Sequence, residues 1–197
     1  MKQIIIATKN KGKVKDFEVL FKSKGYDVIS LLDIQDSPDI DETGTTFKEN
    51  AILKAEGIAS IVNEIVIADD SGLAIDALEG RPGVMSARYA GEQKNDEDNI
   101  QKVLSELKGE NNRRAAFHCA LAMAIPSKPT VVVEGTCNGV IAEQPVGENG
   151  FGYDPIFFVH EKNKTMAQLT KEEKNTISHR ADALKKLEVE LNKYLEL

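Results

Sequence analysis

Residues 65–78 read IVIADDSGLAIDAL, and the join inside that stretch limits what the chain can become. Ile65, Val66, Ile67 and Ala68 suit a buried strand, and Asp69, Asp70, Ser71 and Gly72 follow at once. The pattern predicts a strand that ends at Asp69 and becomes a loop at the rim of a sheet, with Gly72 allowing a sharp turn. Two adjacent carboxylates repel each other, so this placement calls for positive charge nearby, and a divalent cation with oxygen ligands is one source of it. An ordinary polar turn uses the same four residue types, and spacing alone leaves both readings open.

A second organised stretch opens the chain. Residues 4–7 suit a strand, Thr8, Lys9, Asn10, Lys11, Gly12 and Lys13 form a basic polar loop, and Val14, Phe17, Leu20 and Phe21 then fall on one face of a helix. Helix-start N–H groups, the macrodipole and the loop lysines together suit an anion such as phosphate. With Gly12 as its one glycine, the loop is neither a Walker A nor a Rossmann fingerprint, and a solvated basic turn has the same composition.

Residues 26–30 suit a second strand, and residues 33–46 read as an irregular acidic loop with Asp36, Asp39, Asp41 and Glu42. Thr46 and Glu49 make a capping box for a helix with Phe47, Ala51, Ala55, Ile58, Ala59 and Val62 on one stripe. At about 100° per residue Lys54 falls on that stripe too, pointing close to the direction of Phe47. It is either a snorkelling stem or a cation aimed at a bound polyphosphate, and the acidic strand end favours the second.

Farther on, residues 79–83 and 86–91 read as turns and small-residue connections, and Asn95 caps a helix carrying Ile100, Val103, Leu104 and Leu107. Residues 115–125 and 130–138 suit a long hairpin, extended by residues 139–142, with His118 as a structural residue inside it. Gly147, Gly150 and Gly152 crowd the loop that carries Phe151, Tyr153 and Asp154, ahead of a strand at residues 156–159. Such a loop lets backbone approach a flat ligand on which Phe151 can stack, and a glycine-rich hairpin with buried aromatics fits equally well. A Thr170–Glu173 capping box and a final helical face of Ala181, Leu184, Leu187, Leu191 and Leu195 close the chain, with Ser178, His179 and Arg180 at the last helix start.

The bulk properties narrow the function. A chain of 197 residues suits a single domain, residues 1–197, and strands and helices that alternate before a β-rich portion predict a mixed α/β sheet with two lobes. A net charge of -7 argues against a protein that holds nucleic-acid backbone. No run reaches the ~18 apolar residues of a membrane span, and Cys119 and Cys137 are spaced as reduced cytoplasmic thiols.

Six motifs stand in order along the chain: TKNKGK, DETGTTFKENAILKA, IADDSGLAIDAL, PGVMSARYAG, FGYDPIF and EEKNTISHR. Together they resemble the Ham1-like inosine/xanthosine triphosphate pyrophosphatases over nearly the whole chain. The resemblance implies an elongated α/β fold with flanking helices and a central cleft between two lobes. It also implies a homodimer, a requirement for Mg²⁺, and hydrolysis of inosine and xanthosine triphosphates to monophosphate and pyrophosphate, which cleanses the nucleotide pool.

Carried over by position, Thr8 to Lys13 and Lys54 would hold the triphosphate. Lys9 stands where relatives often have glycine or asparagine. Asp70 would be the catalytic carboxylate and a Mg²⁺ ligand, with Asp69 beside it and Ser71 touching substrate. Glu42 would be the second metal carboxylate, with Asp41 its competitor. Phe151, Gly152, Tyr153 and Asp154 would form the base pocket, closed by Lys174, His179 and Arg180. Two other functions use related parts. An aspartyl-nucleophile phosphatase would need Asp-x-Asp where this chain has Asp-Asp-Ser, and a non-catalytic nucleotide-binding protein would not need Asp70.

Overall fold

A parallel pair of strands begins the fold in the computed structural model, which describes residues 2–22, 25–34 and 36–194. β1 (Lys2–Ile6) and β2 (Tyr26–Ser30) align with Lys2 opposite Tyr26 and Ile6 opposite Ser30. Parallel neighbours need a crossover, which α1 (Lys11–Lys22) provides. Its Phe17 and Phe21, four residues apart and so on one face, are fully buried with ring centroids 6.3 Å apart. The Leu20 side chain, expected on that face, lies outside the described residues.

α2 (Phe47–Val62) opens on the expected capping box: Thr46 Oγ1 accepts from the Glu49 N–H at 3.1 Å, and Glu49 Oε2 accepts from the Thr46 N–H at 3.2 Å. It buries Ala51, Ala55 and Ile58 in a cluster with Ile5, Ala7, Val66, Ala68, Ala120 and Ala122, whose small side chains let helix and strands approach closely.

β3 (Val66–Ile75) corrects the sequence reading. The strand does not end at Asp69 but continues for ten residues through Asp69, Asp70, Ser71 and Gly72, and Gly72 is a strand residue rather than a turn. Asp69 and Asp70 are buried. The positive charge that their mutual repulsion calls for comes from lysine ammonium groups against both carboxylates. Ile5 and Ile6 of β1 stand opposite Val66 and Ile67 in parallel register.

Two 3₁₀ segments, Asp76–Leu78 and Gly83–Arg88, lead to α3 (Asp96–Glu106), where Asn95 Oδ1 accepts from the Asp98 N–H at 3.0 Å. β4 (Arg114–Ala124) and β5 (Val131–Ile141) are sheet neighbours, and β6 (Phe157–Val159) and β7 (Lys164–Thr165) continue antiparallel from β5. The strand expected at residues 156–159 starts one residue later, because Ile156 closes the 3₁₀ turn Asp154–Ile156. Ala142 lies beyond the end of β5. Among the described residues the sheet order is β2-β1-β3-β4-β5-β6-β7.

α4 (Lys171–Ile177) has the expected Thr170–Glu173 box, and α5 (His179–Tyr194) follows. The fully buried residues of α5 are Ala183, Leu187 and Leu191, whereas Ala181 and Leu184 are only partly buried; Leu195 lies outside the described residues. The face is rotated from the expected one because the true repeat is a strict i, i+4, i+8 row that begins at Ala183.

By their contacts the residues form two units. One draws on residues up to Asp70, on Ala120–Glu134 and on residues from Ala183; the other on Ser71–Cys119 and Gly135–Asp182. The core of the second gathers Leu73, Ile75, Val103, Phe117, Ile141 and Phe157. Cys119 and Cys137 are buried and unbridged, and burial pushes the Cys137 thiol up to about 11, so it stays protonated. Among the described residues no helix is long and apolar enough to cross a membrane.

Ser86 is a buried junction of the second unit. Its Oγ accepts from the Leu73 N–H of β3 at 2.9 Å and donates to the Gly83 carbonyl at 2.6 Å. Ser86→Ala would strand the Leu73 donor and is expected to lower the free energy of unfolding by about 1–3 kcal/mol. Urea denaturation reads this directly; an unchanged midpoint would mean that Leu73 finds another acceptor.

Candidate active site

In the first unit the loop after β1 turns into α1 through Asn10, whose Oδ1 accepts from the N–H groups of Gly12 at 2.9 Å and Lys13 at 3.2 Å. Two of the helix-start donors that the sequence offers to an anion are therefore taken by a side-chain cap. Thr8 Oγ1 in turn accepts from the Asn10 N–H at 3.2 Å. Two lysines of the loop are ion-paired, as is Lys54 of α2. Lys9 meets Asp39 at 2.6 Å in solvent, Lys13 meets Asp69 at 2.5 Å, and Lys54 lies between Glu42 at 2.8 Å and Asp70 at 3.3 Å. Lys11 and Gly12 are exposed.

Lys54 reaches this position because it stands one helical turn after Asn50 on α2, and both turn away from solvent: Asn50 is 1% exposed and the Lys54 side chain 15%. Burial disfavours the Lys54 ammonium, yet Asp70, Asp69 and Glu42 together outweigh it and hold its pKa above the ordinary lysine value. Burial is also the largest influence on Asp70 and raises its pKa; Lys54 and the Asn50 amide oppose this, while Glu42 and Asp69 add to it. Of the two acidic neighbours considered for a metal, Glu42 is tied to Lys54, and Asp41 is exposed.

Asp70 Oδ2 is buried with no donor in hydrogen-bonding geometry among the described residues. Mg²⁺ is held by one or two carboxylates while keeping several waters, so a carboxylate oxygen without a donor, next to Glu42, fits it. Among the described residues no group of three or more His, Cys, Asp or Glu side chains gathers as a metal cage.

The second unit holds the other group. Gly147, Gly150 and Gly152 all have positive φ, at 91°, 82° and 61°. At Gly150 a Cβ would stand 1.9 Å from Asp154 Oδ2, so glycine is required there for space as well as for backbone conformation. Asp154 Oδ2 also accepts from the Phe151 N–H at 3.1 Å and is ion-paired with Lys174. Phe151 is 51% exposed, with Lys174 Nζ 5.3 Å from its ring centroid. Tyr153 is turned the other way: it is buried and its hydroxyl donates to the Ser86 carbonyl at 2.7 Å.

His179 and Arg180, at the start of α5, are both buried; the His179 ring stacks on Phe117 with centroids 5.0 Å apart. Ser178 Oγ accepts from the Ala181 N–H at 3.2 Å and so caps this helix. Ser71, next to Asp70 on β3, is partly buried.

Two residues in these groups escaped the sequence reading. Asn50 had a visible signal, a polar residue four before Lys54 on a helix whose neighbouring positions are apolar. Asp96 accepts from the Gly152 N–H at 2.7 Å, but an acid in the first turn of a helix is ordinary and points to no long-range partner.

The Ham1 family model matches residues 4–190. The chain is 63% identical over 190 residues to a dITP/XTP pyrophosphatase of Geobacillus kaustophilus, covering 95% of this chain and 93% of that one. To a dITP/XTP pyrophosphatase of Bacillus subtilis it is 64% identical over 189 residues, with 95% and 96% covered. The solved structure of the Staphylococcus aureus Ham1 protein is similar with a TM-score of 0.92 and 51% identity, over 98% of this chain and all of that one. With motifs, fold and relatives in agreement over nearly its full length, the chain belongs to the Ham1 family.

Proposed function

We propose that this chain hydrolyses non-standard purine nucleoside triphosphates, ITP, dITP and XTP, to the monophosphate and pyrophosphate, with Mg²⁺. The observation that carries the reading is a buried carboxylate, Asp70, beside a lysine that it shares with Glu42. The activity named for its close relatives points the same way.

Asp70 orients or deprotonates the water that attacks the α-phosphorus. Mg²⁺, held by Glu42 and Asp70, would neutralise charge on the phosphate oxygens. Lys13 and Lys54, with Thr8 to Gly12, grip the triphosphate and the departing pyrophosphate. Their present carboxylate partners supply the same kind of contact that phosphate oxygens would. Phe151 offers the half-exposed ring for stacking on the base. Tyr153 serves through its backbone, since its hydroxyl is committed to Ser86. Lys174 and Asp154 fix the loop, and Ser71, Gly152, His179 and Arg180 contact substrate. The two buried unbridged thiols suit a cytoplasmic enzyme, and the family likeness extends the reading to a homodimer.

Product analysis on inosine triphosphate is the primary test. Pyrophosphate release supports this reading, orthophosphate release an aspartyl-nucleophile phosphatase, and absence of turnover a binding protein.

Replacing Asp70 by Asn should leave the protein folded and reduce turnover by at least ~10²-fold, in line with the contribution of a positioned base. Near-normal kcat in a folded Asp70→Asn protein removes this residue from the mechanism. Lys54→Met retains the apolar stem and deletes the charge, and kcat/KM should fall at least about tenfold; equality with wild type would reduce Lys54 to a packing role.

The purine 6-position distinguishes the substrates from ATP: inosine and xanthosine carry a carbonyl acceptor there, adenine an amino donor. Arg180 donates only, and His179 can donate through a ring nitrogen, so adenine sets donor against donor. Arg180→Ala is expected to shrink the ITP-to-ATP ratio of kcat/KM by about tenfold or more. An unchanged ratio in folded protein would show that Arg180 does not read the base.

A further inference from the structure

Phe151 stands between two peptide groups, and each is held by a carboxylate. Its own N–H, in the peptide before its Cα, donates to Asp154 Oδ2 at 3.1 Å, and the N–H of Gly152, in the peptide after it, donates to Asp96 Oδ2 at 2.7 Å. Peptide groups are planar, so the backbone at one residue has only two soft torsions, one toward each flanking plane. Holding both planes fixes the direction in which the Phe151 side chain leaves the chain. The ring is half exposed, so the backbone must supply the order that packing would give a buried ring.

The two carboxylates differ in origin. Asp154 belongs to the loop itself, whereas Asp96 comes from outside it, as the first residue of α3 and 56 residues away from Gly152 in the chain. α3 is a firm base for it. Ile100 and Val103 are buried, and the buried Asn99 accepts from the Ala90 N–H at 2.7 Å and donates to the Ala87 carbonyl at 3.1 Å. Ala87 and Ala90 lie in PGVMSARYAG, a motif to which the proposed function assigns no part. The same motif supplies the Ser86 carbonyl that receives the Tyr153 hydroxyl, so it steadies the loop on both sides of Gly152.

We propose that Asp96 is a positioning residue for purine binding: by taking the Gly152 N–H it sets the backbone of Phe151, and with it the ring, before substrate arrives. The inference rests on the proposed function in that it takes Phe151 as the ring that stacks on the base. A loop already ordered in its bound conformation binds more tightly because less freedom is lost on association. Without Asp96 the Gly152 N–H turns to water, the plane after Phe151 is released, and the ring has to be ordered by the base itself.

Asp96 lies at the surface, so its replacement leaves the core intact. Asp96→Ala deletes the acceptor. Asp96→Asn keeps a carbonyl oxygen for the Gly152 N–H and deletes only the charge, so whatever that charge contributes to the start of α3 is lost equally in both. Inosine monophosphate, which carries the base, and pyrophosphate, which does not, are each titrated calorimetrically into the full-length proteins with Mg²⁺ present. The kcat and KM for inosine triphosphate are measured separately. Asp96→Ala is expected to weaken inosine monophosphate binding and to raise KM by about fivefold, the order of what immobilising one side chain costs on association. Its pyrophosphate affinity and kcat should stay within about twofold of wild type, and Asp96→Asn should match wild type within about twofold throughout.

A folded Asp96→Ala protein that binds inosine monophosphate within about twofold of wild type overturns the proposal. So does an Asp96→Asn protein as weak as Asp96→Ala, which would assign the effect to helix charge, and so does an equal loss for pyrophosphate, which would assign it to general distortion. Should Asp96→Ala fail to fold, Asp96→Ser, whose hydroxyl is one bond shorter than the carboxylate, decides by the same measures. Wild-type protein that binds inosine monophosphate but releases no pyrophosphate from inosine triphosphate would refute the proposed function and leave the calorimetric comparison to judge Asp96 alone.

Discussion

Two neighbouring carboxylates inside a strand, each met by a lysine, are the constraint on which the first unit depends. Successive strand residues point to opposite faces of the sheet. One ammonium therefore does not pair directly with both aspartates, and the fold supplies two: Lys13 from α1 for Asp69, and Lys54 from α2 for Asp70. Both helices must accordingly be held in register with β3. The small-residue cluster that includes Ala51, Ala55, Val66 and Ala68 seats α2 closely enough for Lys54 to reach Asp70, and Phe17 and Phe21 anchor α1.

The second unit handles a buried carboxylate differently. Asp154 is 3% exposed and draws on Lys174 together with the backbone N–H of Phe151, three residues earlier in the same loop. Such closure of a loop onto its own acid needs backbone in the positive-φ region and room for the carboxylate, and Gly150 provides both. Tyr153, whose hydroxyl is fixed to Ser86, and Asp96, which accepts from Gly152, then tie the loop to the body of the unit. Phe151 is left half exposed on a framework held from either side, as a stacking platform requires.

How much of this was legible in the sequence depended on whether the cause was local. Capping boxes at Thr46 and Thr170, the cap at Asn95 and the β2 boundaries are set by residues close together in the chain, and all were readable. The inward direction of Lys54 was readable from helical periodicity alone. The course of β3 was not. Read locally, Asp-Asp-Ser-Gly ends a strand, and only lysines 16 and 56 residues away make its continuation favourable. Ser86 and Asp96 failed for the same reason, since their partners lie 13 and 56 residues off. In α5 the periodicity was right but its phase was not, because a stripe of alanines and leucines admits more than one starting residue.

The choice of lysine at positions 13 and 54 carries a functional argument of its own. An arginine in either place would form a directional two-pronged bond to a carboxylate and would stabilise the ligand-free arrangement more than an enzyme of this kind can use. An ammonium is a compact point charge whose three donors rotate freely, so it can exchange a carboxylate oxygen for a phosphate oxygen with little loss of geometry. Burial alone would tend to neutralise Lys54, yet Asp70, Asp69 and Glu42 keep it charged. The acids thus have a second role besides any in the reaction: they maintain, before substrate arrives, the positive charge that a triphosphate would meet. A site built on such exchangeable pairs is stable when empty, and the same ammonium groups remain available when a polyanion enters.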